Sequence, residues 1–335
     1  MQRVRLIDIA QKLDVSTVTV HNALCGRKGV SNQMRERIIQ TAKEMGYESN
    51  TVSKKKKEVA QAWKISVLIA ENYLAQYATY YWKMYQELAL MATQRHCYTM
   101  IEVLKQETQM HTMELPKALR EEHVDGIIVI GEITMRYIKK LQEHAGVPVV
   151  FLDFYDSRIA RDCVIADNYY GMYQMTELLF EQGIEKLAFV GSIYATGSIM
   201  DRYFGFMKAM TRHHKNLPPE WLIEDRDAMG RIDVALPKRM PQAFVCNCDL
   251  TAGVLIAKLE AQGYRVPQDV SVIGFDNFVP PGFIDAKVTT YEVSMKSMTK
   301  AALDKLIKQL RTPGHGCLLD IITGQVRWKN SIKIK

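Results

Sequence analysis

This 335-residue sequence predicts an α/β protein, two doubly wound parallel-sheet subdomains preceded by a small all-α helix-turn-helix headpiece. Three observations predict it. Apolar residues near the start recur at helical spacing on either side of a tight turn. From residue 65 onward short apolar runs alternate, in two successive series, with helical segments. Positive charge is concentrated ahead of those runs.

In the headpiece, Leu6, Ile9, Ala10 and Leu13 form one apolar stripe at i, i+3, i+4 and i+7. Ser16 is a good N-cap for a second helix, and Val15 can staple against Val20. Val20, Ala23 and Leu24 then face inward, leaving Thr17, Val18, His21 and Asn22 pointing away. A solvent-facing β-branched Val18 is odd on a free surface but useful in a major groove. There Val18 and the Thr17 methyl can meet thymine methyls, and Asn22 can bond adenine in bidentate fashion. Ser16, Thr19 and His21 suit the phosphates or the groove wall. A third helix, capped by Ser31 and closed by Gly46, turns Met34, Ile38, Ala42 and Met45 inward. Any small helical bundle could show these stripes, and charge discriminates. Residues 1–58 hold twelve Lys and Arg against six Asp and Glu, which accounts for +6 of the formal +7. A basic head on a near-neutral body is the footprint of phosphate-backbone binding. For Arg35, Arg37 and Lys43 individually, solvation is the default expectation.

The body begins after a basic linker, residues 50–62, that contains Lys54, Lys55, Lys56 and Lys57. The first series predicts strands at 65–70, 98–104, 126–130 and 147–154 with a helix at 80–95. The second predicts helices at 171–182, 199–212 and 250–262 and strands at 187–190, 243–246 and 270–275. Buried strands alternating with helices imply parallel sheets, whose ligands bind beyond the carboxyl ends of the strands. The polar residues at those ends are Glu71, Asn72, Asp153, Ser192, Asn247 to Asp249, Asp276 and Asn277. For each taken singly, capping the helix that follows is the commoner role of such a residue.

The order Asp8-Ile-Ala10, Val15-Ser16, Val20, Ala23-Leu24, Val30-Ser31, Arg35, Ala42, Gly46-Tyr47 and Asn50 resembles the headpiece of the LacI/GalR family of bacterial transcriptional regulators. The run Val266 to Asp276 (VPQDVSVIGFD), with Val288 to Thr290, resembles that family's effector-domain segment, and Ser198 to Arg202 resembles its effector-binding arginine segment. The resemblance implies periplasmic-binding-protein-like subdomains and an effector site built from Asp153, Arg202 and Asp276. Two acids and a guanidinium suit vicinal hydroxyls, so a sugar is expected, with a purine or a phosphosugar open. Tyr81 and Trp82 match aromatic positions that often line the cleft, with core packing the alternative. It further implies a homodimer on pseudo-palindromic operator DNA, probed by a headpiece whose affinity the effector shifts.

Several positions depart from the family. Cys248 stands where Asn or Ser is usual, which predicts a lost effector contact or one supplied by Asn247. Lys56 stands where a leucine wedges into the minor groove, so the lysine run is expected to bind phosphates with less kinking. His21 and Asn22 replace Ser-Arg, leaning away from a guanine contact.

No HExxH, GxGxxG or GxxxxGKS segment and no nucleophile with a neighbouring base is present, so no enzyme, cofactor or metal is expected. Cys25, Cys97, Cys163, Cys246, Cys248 and Cys317 lack zinc-type pairing and are expected as thiols. Without a signal-peptide stretch or a transmembrane-length run, the expected location is cytoplasmic. The tail after Leu310 lacks leucine heptads, against a tetramerising coiled coil. The alternative function is a sugar-binding or sugar-modifying α/β protein whose basic extension is incidental.

Overall fold

The computed structural model describes residues 4–24, 29–45, 47, 62–74, 80–121, 123–159, 161–227, 230–280, 287–314 and 318–335. The predicted lysine run, Gly46, Cys25 and Cys317 lie outside them. The chain divides into two compact units, Met1–Ala62 and Trp63–Lys335.

The first unit holds α1 (Leu6–Leu13), α2 (Thr17–Leu24) and α3 (Asn32–Glu44). Its core is the predicted one, with Ile9, Ala10, Val20, Ala23, Ile38 and Ala42 buried and Leu6, Leu13, Met34 and Met45 packed against them. Asp14 ends α1 in the left-handed region, a conformation that Asp tolerates and that turns the chain sharply. Ser16 and Ser31 cap the next two helices, accepting from the backbone N–H of Thr19 and Met34. Arg35 is not simply solvated. Its Nη1 donates to the carbonyls of Asn22 and Ala23 at the end of α2, where a cation meets the negative end of the helix dipole.

In the second unit β1 (Trp63–Ala70), α4 (Tyr80–Gln94), β2 (Cys97–Leu104), α5 (Lys117–Arg120), β3 (Gly126–Ile130), α6 (Met135–His144), β4 (Val149–Leu152) and β5 (Asp162–Ala166) build one half. Then α7 (Asn168–Glu181), β6 (Leu187–Val190), α8 (Gly197–Arg212), β7 (Leu222–Ile223), β8 (Ala243–Cys246), α9 (Asp249–Ala261), β9 (Ser271–Asp276) and β10 (Thr289–Glu292) build the other. The chain returns through α10 (Met295–Arg311), which packs on α4, β4 and β5, to β11 (Leu319–Ile322) in the first sheet and β12 (Gln325–Arg327) in the second.

The sheet orders are β11-β5-β4-β3-β1-β2 and β12-β10-β9-β8-β6-β7, so the halves repeat one topology. Pairing is parallel throughout except β10 with β12. Alternation along β1 sends Ile65, Val67 and Ile69 into one apolar layer and Leu68 and Ala70 into the other, as a strand covered on both faces requires. The predicted strand at 147–154 is shorter because Asp153 takes a φ of 62°, which ends the extended run at Leu152. Strands β5, β7, β10 and β12 and helices α5, α6 and α10 are not among the expected elements. In β10 the buried Thr289 and Thr290 mask the apolar signal, whereas the Met298, Ala302, Leu303 and Leu306 stripe of α10 was legible.

Helices α7 and α8 pack backbone to backbone at Gly205, where an added Cβ would lie 2.1 Å from the carbonyl oxygen of Tyr169. Gly205→Ala must push the two helices apart, and is expected to destabilise the body by about 3 kcal/mol or more. The check is urea unfolding of the full chain.

Candidate functional site

On the first unit, the outward face of α2 is as predicted. Val18 is 64% exposed, Thr17 and Ser16 are exposed, and His21, Asn22 and Thr19 are half-buried. An exposed valine beside an amide on a helix held by two others is an arrangement that can enter a major groove. The Ser16 and Thr19 hydroxyls bond each other at 2.8 Å, so each keeps lone pairs or a proton for a phosphate only by sharing that bond.

On the second unit, residues that follow β1, β4, β6 and β8, with the end of β9, border a cleft of about 230 Å³. That volume accommodates roughly seven or eight water molecules at ~30 Å³ each, the size class of a small metabolite. Asp153, Arg202, Asp276, Asn247 and Tyr81 line it, so five of the six residues expected at the effector site are brought together.

The sixth, Trp82, is not among the lining residues. One position along α4 rotates a side chain by about 100°, and Trp82 instead stacks near Tyr85 at 37% exposure. Tyr80, missed in the sequence, takes the place. Its ring meets Tyr81 edge-on at 5.6 Å and Phe278 of the other half at 5.8 Å. Gly131, at a φ of 78°, leaves room for the Tyr73 ring, which a Cβ would meet at 2.9 Å. Tyr73 and Tyr81 lie 4.5 Å apart above it. These aromatic faces can stack on the apolar face of a sugar or a heterocycle.

Arg202 is 5% exposed and its guanidinium is held on every side. Nε donates to Asn168 Oδ1 at 2.8 Å, Nη1 to the Asn247 carbonyl at 2.7 Å, and Nη2 lies 3.0 Å from Asp276 Oδ1. The plane rests over the Phe275 ring at 4.1 Å. Asp276 takes a φ of 92°, so both acids sit at left-handed positions, one just past β4 and the other at the end of the corresponding strand β9. Such non-glycine conformations cluster where a side chain must be aimed at a ligand.

Burial pushes the Asp153 carboxyl up to about 7; Arg202 and the Tyr81 hydroxyl bonded to it oppose the rise, while Asp276 adds to it. Burial also raises Asp276, against the pull of Arg202. Cys248 borders the cleft, its thiol raised to about 11 by burial and the nearby Asp276 and Asp225. It therefore stays protonated and offers only a weak donor.

Asn247 takes a different part from the one expected. Its amide nitrogen is turned inward, donating to Asp225 Oδ2 at 2.6 Å and to the Val190 carbonyl, and only its backbone serves Arg202. Asp225, fully buried, also accepts from the Ser192 N–H and the Thr251 hydroxyl. Burial alone would raise its carboxyl, but Arg226 and these hydrogen bonds hold it below the ordinary value. Asp225 and Arg226 were missed because they follow a two-residue strand with little apolar signal.

A larger hollow of about 750 Å³ lies outside, between α8 and the segment 214–222, and none of the predicted residues borders it. Among the described residues, no helix is long and apolar enough to cross a membrane. His213 follows the end of α8 and bonds Glu177.

The sequence matches the family described as "Bacterial regulatory proteins, lacI family" over residues 5–50 and a "Periplasmic binding protein-like domain" over residues 176–326. It is 24% identical over 318 residues to the HTH-type transcriptional repressor PurR of Vibrio vulnificus strain CMCP6, covering 92% of each chain. The fold is similar to that of the transcriptional regulator CelR in its cellobiose complex (TM-score 0.66, 18% identity, 98% of this chain and 100% of that one). It is equally similar to the lac repressor dimer bound to operator and the anti-inducer ONPF (TM-score 0.66, 20% identity, 98% and 99%).

Proposed function

Because the chain belongs to the LacI family of bacterial regulatory proteins, and is thus an effector-controlled DNA-binding transcriptional repressor rather than an enzyme, we propose how its two units divide that work. In this reading the unit Met1–Ala62 reads operator DNA through α2. Thr17, Val18 and Asn22 contact base edges, favouring A·T pairs, while Ser16, Thr19, His21 and the lysines 54–57 hold phosphates or the groove. Two copies of the chain, paired as a dimer, read the two halves of a pseudo-palindrome.

The effector is a sugar or a similar polyhydroxylated molecule bound between the halves of the body. The observation that carries this is that the buried Asp153 and Arg202 and the partly buried Asp276 face one 230 Å³ cleft that Tyr80 and Tyr81 also line. Oriented carboxylates accept from vicinal hydroxyls, and aromatic faces cover the C–H face of the ring. That the CelR structure holds cellobiose is in keeping with it. Closure around the ligand shifts the balance between body conformations, and with it operator affinity.

A gel-shift assay tests the division. Deleting residues 1–58 should abolish specific operator binding while ligand-induced thermal shifts of the body persist. Tight operator binding by the truncated chain would refute the reading.

A further inference from the structure

Arg226 also borders the cleft, and its circumstances differ from those of Arg202. All three nitrogens of Arg202 are engaged by protein groups, so that guanidinium serves to hold Asp276 and the β8 end in place. Arg226 sits where the chain bridges to Ile232, with its side chain 30% exposed. Its Nε is buried and has no hydrogen-bond partner among the described residues. Asp225 Oδ1 lies 3.4 Å away, in a geometry that makes an ion pair without a hydrogen bond. The acceptors of Asp225 are taken by the Ser192 N–H, the Asn247 amide and the Thr251 hydroxyl. A guanidinium presents a planar fork of donors whose best partner is a carboxylate or phosphate met face on, and Asp225 is too committed to be that partner. Thr196 and Ser198, bonded to each other at 2.9 Å, supply further hydroxyls on the same wall. Asp276 also feels the Arg226 charge, but its direct partner is Arg202.

We propose that the effector carries, beside its hydroxyls, one anionic group, a carboxylate or a phosphate ester, and that Arg226 receives it. This rests on the cleft being the effector site. Asp153 and Asp276 then accept from the hydroxyls, and Arg226 selects acidic carbohydrates over their neutral parents.

The test is calorimetric titration of the full chain with glucose, gluconate, glucuronate and glucose 6-phosphate, and with the corresponding galactose and ribose sets. The acidic member of at least one set is expected to bind at least tenfold more tightly than its neutral parent. Carboxylates leading would identify a sugar acid, and esters leading a sugar phosphate. Arg226→Gln should remove that advantage, a 10- to 100-fold loss for the acidic ligand with the neutral parent unchanged. Arg226→Lys, which keeps the charge but not the fork, should fall between them. No acidic member binding better than its neutral parent, or an acidic ligand held equally by Arg226→Gln and the parent chain, overturns the proposal. Asp153→Asn separates the two readings: if it leaves binding of every ligand intact, the cleft assignment itself fails, whatever Arg226 does.

Discussion

Replacing Arg202 with methionine is expected to abolish the effector response and to lower the melting temperature of the body by roughly 10 °C. The residue is buried, and its removal leaves the Asp276 carboxylate, the Asn168 amide oxygen and the Asn247 carbonyl without their donor in one step. Breaking a buried ion pair by deleting one partner costs about 3–5 kcal/mol, because the remaining charge stays desolvated. In a domain of this size each kcal/mol moves the transition by about 2–4 °C. Methionine restores much of the volume over Phe275, so packing loss alone would be smaller. Thermal unfolding with and without ligand is the measurement. A variant that melts within a degree or two of the parent, with its ligand shift intact, would show that Arg202 is not the organising cation.

Asp153→Asn is expected to change how both stability and ligand affinity respond to pH. The carboxyl is raised from an ordinary value of 3.8 to about 7, mainly by burial. Between those values the folded protein holds a proton that the unfolded chain has released. The stability this group contributes is therefore fully present below about pH 4 and is lost as pH rises through about 7. At 1.36 kcal/mol per unit the swing amounts to a few kcal/mol. The asparagine variant, with nothing to titrate, should melt several degrees above the parent at pH 8 and show a flatter profile between pH 5 and 8. Ligand affinity should run the other way. A hydroxyl donates to the ionised acid, so the parent should bind more weakly as pH falls below about 7, and the variant should bind 10- to 100-fold more weakly with no such slope. Melting curves and titrations at pH 5.5 and 8 decide it. Parallel pH profiles for the two proteins would refute the assignment of Asp153.

The headpiece was legible because its helices are short, capped and striped. Ser16, Ser31 and the Ile9, Val20 and Ile38 core all follow from local spacing. Topology placed Asp153 and Asp276 on a longer list of polar residues at the ends of apolar parallel strands, and the resemblance to the family chose them from it. What escaped depends on orientation and on contacts far along the chain. Whether Tyr80, Tyr81 or Trp82 enters the cleft is set by helix phase, and three adjacent aromatics do not reveal it. Asn247 and Asp225 are 22 positions apart, and their hydrogen bond turns an expected ligand contact into a brace. Arg226 follows a strand of two residues, too short for any periodic signal.

The correspondence between β4 and β9 places one acid on each half of the body, yet the partners that bind Arg202 most directly, Asn168, Asn247 and Asp276, all belong to the second half. In the proposed closure that assembly moves as one piece, whereas Asp153 approaches or leaves it. A closure that changes the ionisation of Asp153 exchanges a proton with the buffer, so effector titrations are expected to give different heats in buffers of different ionisation enthalpy.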